Sequence, residues 1–321
     1  MSQGQAADED RWANWPEAWA GADCDVRAVL GAISREAKDG FRYDGIPWKR
    51  FPHFYGPGDE VPGLLRMLAH DDAESAGRAL RRLWTTVHHQ GSTIEVAALA
   101  VPFLLRIAAT GHPGLRAETL TLAAVSGRCQ HLGDGTREGL LRVAEDPLVI
   151  GPVDCPVDWT IQAARDAMTS DLHLPLSLLP DPDPEVRSAA AFVLALATGG
   201  VPRISSALHD RLVVEDDPAV QVSLVLAIAQ LAREHQDGPA RDWVRDLWSD
   251  PGRPPHVRIG AGLAWLCLVD SPASDELHAL LTDPGTRRHR DLFQQVPWIA
   301  PVDPDDGLRR CIHDMLTPQI P

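Results

Sequence analysis

Thirteen histidines are the side chains best able to do chemistry here, and their spacing decides which chemistry. His88-His89-Gln90 ends a stretch with helical apolar periodicity. Trp84 precedes it by one turn, and Glu95 follows. His53 and Tyr55 lie upstream in an aromatic loop. If the fold gathers them, they form a polar-aromatic cluster that can supply an acid, a base or a ligand. The same residues would also serve as a hydrogen-bonded plug that fixes the loop, since buried His and Tyr need partners in either case. Two adjacent histidines at a helix end point about 100° apart. A metal shared between them is therefore not expected.

Other constellations carry less. His70-Asp71, His209-Asp210 and His313-Asp314 lie too far apart along an elongated chain to share one ion. Each reads as an ordinary polar helix position, or as a His near a helix C-terminus where its charge suits the dipole. There is no Gly-rich phosphate loop, no GxSxG elbow, no HExxH and no zinc-finger pattern. The five cysteines are scattered and form no CxxC pair, so neither a disulfide framework nor a structural zinc is expected. The expectation is no metal and no cofactor.

Charge narrows the partners. Thirty Lys+Arg against 45 Asp+Glu leave a formal −15, which repels nucleic acid and anionic membrane. Lysine is confined to Lys38 and Lys49, so the cations are almost all Arg, a bias typical of GC-rich bacterial genomes. The start shows no basic-then-apolar signal pattern, and no apolar run is long enough to span a bilayer. These features point to a cytoplasmic protein whose partner is another protein.

The elements that must position any site come from a repeat. Pro184-Glu185-Val186-Arg187 recurs as Pro218-Ala219-Val220-Gln221, 34 residues on, and as Pro255-His256-Val257-Arg258 after 37 more. Behind each Val the apolar positions keep helical spacing. They read Ala189, Ala190, Val193, Leu194, Ala197; then Ser223, Leu224, Ala227, Ile228, Leu231; then Gly260, Ala261, Ala264, Trp265, Leu268. The first helix is apolar all round from 189 to 197, so it must be covered on more than one side. A more amphipathic helix follows each, at 202–214, 239–248 and 273–281. One pair cannot bury such a surface alone, so pairs must stack.

The Asp-Pro-x-Val-Arg opening with small and aliphatic residues behind it resembles HEAT-type repeats. The resemblance implies an all-α, right-handed solenoid of stacked pairs, about six or seven of them over 61–321. The units at 183–214, 217–249 and 254–283 are the clearest. A narrower resemblance, to a group of bacterial HEAT-repeat proteins, rests on His53-Phe54-Tyr55-Gly56, His89-Gln90-Gly91 and Ala100-Val101-Pro102-Phe103-Leu104. Solenoids of this type serve as protein scaffolds, and a few are lyases, hydroxylases or DNA glycosylases. The di-iron hydroxylases among them present His-Glu pairs, and this chain has no His-Glu dipeptide.

Along the chain, residues 1–10 read as a disordered tail, and 11–60 as a cap with an ordered loop. Trp12, Trp15 and Trp19 would cover the first pair, followed by a short helix over 25–38. Helices are expected over 61–69 and from Asp71 to His88. Ser92-Thr93-Ile94-Glu95 reads as a capping box opening the next helix, which Pro102 should kink or split. Residues 113–126 and 137–144 would form a pair, with further helices over 159–168 and 307–316. The loops 127–136, 146–158 and 249–256 are the expected contact surfaces, as loops on one face of a solenoid often are. Arg287-Arg288-His289-Arg290 reads as a solvated turn.

Arg187, Gln221 and Arg258 each follow the Val of their unit. They would either line a groove that grips acidic side chains or form a ladder bonded to the Asp of their own or the next unit. The functional expectation is a non-enzymatic scaffold. The alternative is an enzyme or small-molecule binder built on His53, His88 and His89. A DNA-binding solenoid is disfavoured by the charge.

Overall fold

The computed structural model describes residues 25–89, 91–129, 134–144 and 156–317. The expected tail, the three cap tryptophans, Gln90 and most of the 146–158 loop lie outside these. The described chain is all-helical apart from one two-stranded ribbon of two residues each. None of its helices is long and apolar enough to cross a membrane.

Local chemistry sets the helix starts. In the repeat units α9 (Pro184–Leu194) and α11 (Pro218–Glu234) begin on Pro behind a capping Asp. Asp183 accepts from Glu185 N, and Asp217 from Ala219 N and Val220 N. The third lead helix, α13 (Pro255–Leu268), has no capping side chain. The second helices are α10 (Val201–Val214), α12 (Gly238–Ser249) and α14 (Asp275–Thr282). The last starts two residues later than its periodicity suggests, because Ser274 rather than Ser271 caps it.

The lead helices pack in a row. A helix at Arg116–Ser126, α6, lies against α9; α9 lies against α11; α11 lies against α13. The second helices interleave, with α10 on α11, α12 on both α11 and α13, and α14 on α13. Ala189, Ala190, Val193, Leu194 and Ala197 are buried, as are the matching residues of α11. In α13, Trp265 and Leu268 are only half-buried, being nearer the end of the row. Close approach depends on Gly260: a Cβ there would sit 3.0 Å from Val222 Cγ1.

Upstream, the 25–38 stretch is two helices, α1 (Val26–Ala32) and α2 (Arg35–Asp39), because Ser34 caps a new start. The 48–60 loop is followed by α3 (Val61–His70) and α4 (Ala73–Val87). Helix α5 (Glu95–Thr110) runs unbroken through Pro102 and is not split there. It packs on α3, on α6 and on α7 (Val157–Ser170), and that cover holds the helix where Pro removes one hydrogen bond. A buried ion-pair network ties these elements. Arg106 donates to Asp171 at 2.8 and 3.0 Å and to Asp39 at 2.8 Å.

Two segments close the row in a way the periodicity does not show. Residues 137–144 are turns, not the expected helix. The Asp134 carboxylate accepts from Thr136 N, and Thr136 Oγ1 accepts from Gly139 N, so side chains take the bonds a helix would use. Leu140, Leu141 and Val143 are buried. Arg137 donates to Met315 O and Ser271 O, and Arg233 to Glu138 O. Gly135 lies so close to the last helix, α16 (Gly307–Leu316), that a Cβ would meet Cys311 Cα at 2.9 Å. The second segment follows the short helices α8 (His173–Leu178) and α15 (Arg290–Phe293) in chain order. There Val296, Trp298 and Ile299 are buried, with Trp298 on Phe192 at 4.6 Å between ring centroids.

Leu194 is fully buried between α6 and α11. Leu194→Ala should cost about 2–5 kcal/mol. A chemical melt showing a loss under ~1 kcal/mol would mean that the inward face of α9 is misassigned.

Candidate functional site

The aromatic loop is held by its own backbone. Trp48–Arg50 and Gly58–Glu60 are single 3₁₀ turns, and His53 bridges Gly56 between them. His53 is buried. Its Nδ1 accepts from Tyr55 N at 3.1 Å, so its Nε2 carries the proton and faces Glu60 Oε1 at 2.9 Å. Arg82 Nη2 reaches the same carboxylate oxygen at 3.1 Å. Phe54 N donates to Thr86 O, which ties the loop to the end of α4.

Helix α4 ends at Val87, one residue before the histidines, and His88 is extended. His88–His89 pairs with Ser92–Thr93 around Gly91, whose φ is 81°. This ribbon replaces the expected capping box. Ile94, not Ser92, precedes α5, and it has no side chain able to cap. Thr93 Oγ1 instead donates to Ser126 O, which pins the ribbon to α6.

An extended pair sends consecutive side chains to opposite faces. His88 turns inward onto Trp84, with ring centroids 5.7 Å apart and planes at 83°. His89 turns outward onto Phe54 and Tyr55, and the exposed Tyr55 places its hydroxyl 3.2 Å from His89 Nδ1. The two histidines are thus separated by the ribbon itself.

Burial, with a smaller contribution from His89, pushes His88 down to about 4, so it is neutral at pH 7. Burial pushes Glu95 up to about 7, although the Thr160 side chain hydrogen-bonds its carboxyl. Trp84 Nε1, His88 Nδ1 and Glu95 Oε2 are buried without a hydrogen-bond partner. Thr160 had no signal in the sequence, because it joins the cluster from α7, an element distant in the chain. Among the described residues, no group of three or more His, Cys, Asp or Glu side chains is placed to hold a metal ion.

Of the repeat-position residues, Arg187 is buried and Gln221 and Arg258 are half-buried. Arg187 is buried and donates to Glu215 at 2.9 and 2.7 Å, and to the carbonyls of Asp181 and Pro182. Gln221 Nε2 donates to Glu215 O, and His256 Nε2 donates to Gln221 Oε1 at 2.6 Å. Arg258 Nε donates to Trp248 O. The partner of Arg187 is Glu215 and not the expected Asp, because Asp183 and Asp217 are spent capping α9 and α11. Burial of Glu215 opposes its charge. Arg187, Arg211 and the Asp217 N–H outweigh burial and hold its pKa down to about 2.

The other His-Asp pairs stay apart. His70 packs edge-on against Phe41, His209 packs on Trp243, and His313 is exposed on α16.

Open space lies at the other end of the row. A cavity of about 440 Å³ runs between α14, the turn Thr286–His289 and α16. A second, of about 500 Å³, shares His278, Leu316 and Thr317 with it. The wall of the first is apolar, from Leu281, Leu308, Ile312 and Leu316. Its exposed polar part carries His278, Arg287, Arg309 and His313. Asp283 and Asp306 also line it, but each folds back onto its own backbone. Asp283 accepts from Gly285 N at 2.6 Å, and Asp306 from Arg309 N at 3.1 Å. Arg287 makes no side-chain hydrogen bond or ion pair among the described residues, so the arginine cluster read as a plain turn borders a cavity.

The chain matches no family model, no curated protein and no solved structure.

Two stability effects follow from this geometry. Burial raises the folded pKa of Glu95 above the ordinary carboxylate value of 4.5, so its favourable contribution is complete below pH 4.5 and is lost as pH rises through 7. Glu95→Gln should therefore melt increasingly above wild type from pH 5 to pH 8, by up to about 3 kcal/mol. An equal difference at both pH values would rule out a buried titrating carboxyl. Separately, Arg187→Leu leaves the buried Glu215 carboxylate without its main partner and should cost about 3–5 kcal/mol. Urea unfolding should show a smaller loss for Arg258→Leu, which removes only a bond to a carbonyl.

Proposed function

We propose that this chain is a cytoplasmic, non-enzymatic scaffold that binds another protein, built as a right-handed α-solenoid of HEAT-like pairs. The repeat period, the small residues that let lead helices approach, and the packing order α6, α9, α11, α13 all support the solenoid. The observation that carries the binding reading is the pair of adjoining cavities at the α14–α16 end. Their combined apolar wall and arginine-bearing rim have the composition of a protein contact, with its apolar centre and enriched Arg. They lie beside the last turns of the row, where a stack ends and a partner could add to it.

The strap at 134–144 changes which surface is offered. Its first residues, 134–136, belong to an expected contact loop and 137–144 to the expected helix, yet Arg137 and Glu138 are spent on contacts with α11, with the Ser271 carbonyl between α13 and α14, and with α16. The N-terminal histidines support a fixing role better than a catalytic one. His53 has both ring nitrogens engaged, and His88 is half-buried and neutral. The formal −15 disfavours nucleic acid as a partner.

The purified chain should capture one stoichiometric protein from a lysate of its native host. Amide exchange on that complex should then show protection within 275–317 and none at 53–58. A co-purifying small molecule in place of a protein, with protection at 53–58 and 88–93, would replace this reading with a ligand site at the N-terminal cluster.

A further inference from the structure

We propose that the cavity between α14 and α16 receives an acidic amphipathic segment of the partner, with leucine-sized side chains against its apolar wall and carboxylates on Arg287 and Arg309. This rests on the scaffold reading and specifies its chemistry. The volume of about 440 Å³ falls in the range of sites that bury small molecules or side chains. Leu281 and Leu308 are buried, while Ile312 and Leu316 remain half-exposed and present apolar surface to the opening.

Charge decides the sign of the occupant. The chain as a whole repels acidic segments, with its formal −15. In this cavity two arginines, Arg287 and Arg309, stand against two aspartates, Asp283 and Asp306, so the acid excess of the whole chain is absent and Arg287 is the cation left without a carboxylate partner among the described residues. Asp283 and Asp306 are turned onto backbone N–H groups, and Asp306 also lies 3.6 Å from Arg309. Arg287 faces no carboxylate within ion-pair distance among the described residues, and Arg288 beside it is likewise exposed and without an ion pair. A planar guanidinium in this position matches a carboxylate with two parallel hydrogen bonds. The acid excess of the whole chain then adds selectivity, since an acidic segment is held only where a cation is free to meet it. The second cavity is less clear-cut. Glu138 and Asp270 line it along with Arg137 and Arg233, so the charged anchor belongs to the first.

The test uses the full chain and fluorescence anisotropy. The probe is a labelled peptide with Leu at helical i, i+3, i+4, i+7 spacing and Glu elsewhere. Its control carries Lys in place of Glu. The Glu probe should bind and the Lys probe should not. Arg287→Glu, whose side chain contacts no other charge, should weaken binding about tenfold or more, with an unchanged melt. Ile312→Asp should do the same through the apolar wall. Failure of the Glu probe to bind, equal binding of both probes, or no effect of Arg287→Glu would overturn the assignment. Capture of the host partner separates the two readings. If wild type and Arg287→Glu capture it equally, the cavity assignment fails and the scaffold stands. If wild type captures nothing, the scaffold reading itself fails.

Discussion

A helix with no polar side cannot face water, and the rest of this structure depends on that constraint. From Ala189 to Ala197 every side chain of the first lead helix and its C-terminal turn is apolar, and all are buried. One neighbour cannot cover such a surface. Helix α6 takes one side, α11 another, and Trp298 a third through Phe192. The same demand then passes to α11, which α13, α10 and α12 cover in turn. Small residues at the contact positions allow this without voids, and Gly260 against Val222 shows how little room remains.

Burial at this density forces backbone and polar groups to be matched internally. Gln230 is the clearest case. Fully buried on α11, it donates to Ala195 O and accepts from Trp298 Nε1 at 2.7 Å. One side chain thus satisfies a carbonyl at the buried C-terminal end of α9 and locks the 293–302 segment onto the row. Glu215 does similar work at the other helix ends. It receives Arg187 and Arg211 and also accepts from the N–H groups of Asp216 and Asp217. The helix-start aspartates are already committed as caps, so the ladder needed a further acid.

The two ends of the molecule answer differently to the same forces. At the N-terminal end polar and aromatic groups are drawn into contacts that leave Trp84 Nε1, His88 Nδ1 and Glu95 Oε2 buried and unpartnered but bring the loop, the ribbon and α5 together. At the other end the row runs out. On helix α13 Trp265 and Leu268 are only half-covered, and apolar surface of α14 and α16 lines open cavities. Open cavities arise where the row has no next helix to cover it.

The sequence by itself determined the lead helices and their mates. Their periodicity, Pro starts and Asp caps are local, and local patterns survive whatever packs around them. It also marked residues that the fold gathers at the N-terminal cluster, His53, Tyr55, Trp84, His88 and His89, since polar groups among apolar ones stand out in any register. Tertiary structure decided their geometry. His88 and His89 end on opposite faces because a ribbon partner, Ser92–Thr93, competes with the helix for their backbone. Residues 137–144 lose their expected helix because Asp134 and Thr136 bind nearby backbone and because Arg128 takes the Leu140 and Arg142 carbonyls. The cavity beside Arg287 was invisible for a simpler reason. It exists only between elements brought together from 278, 287 and 309, and no spacing along the chain encodes the gap between them.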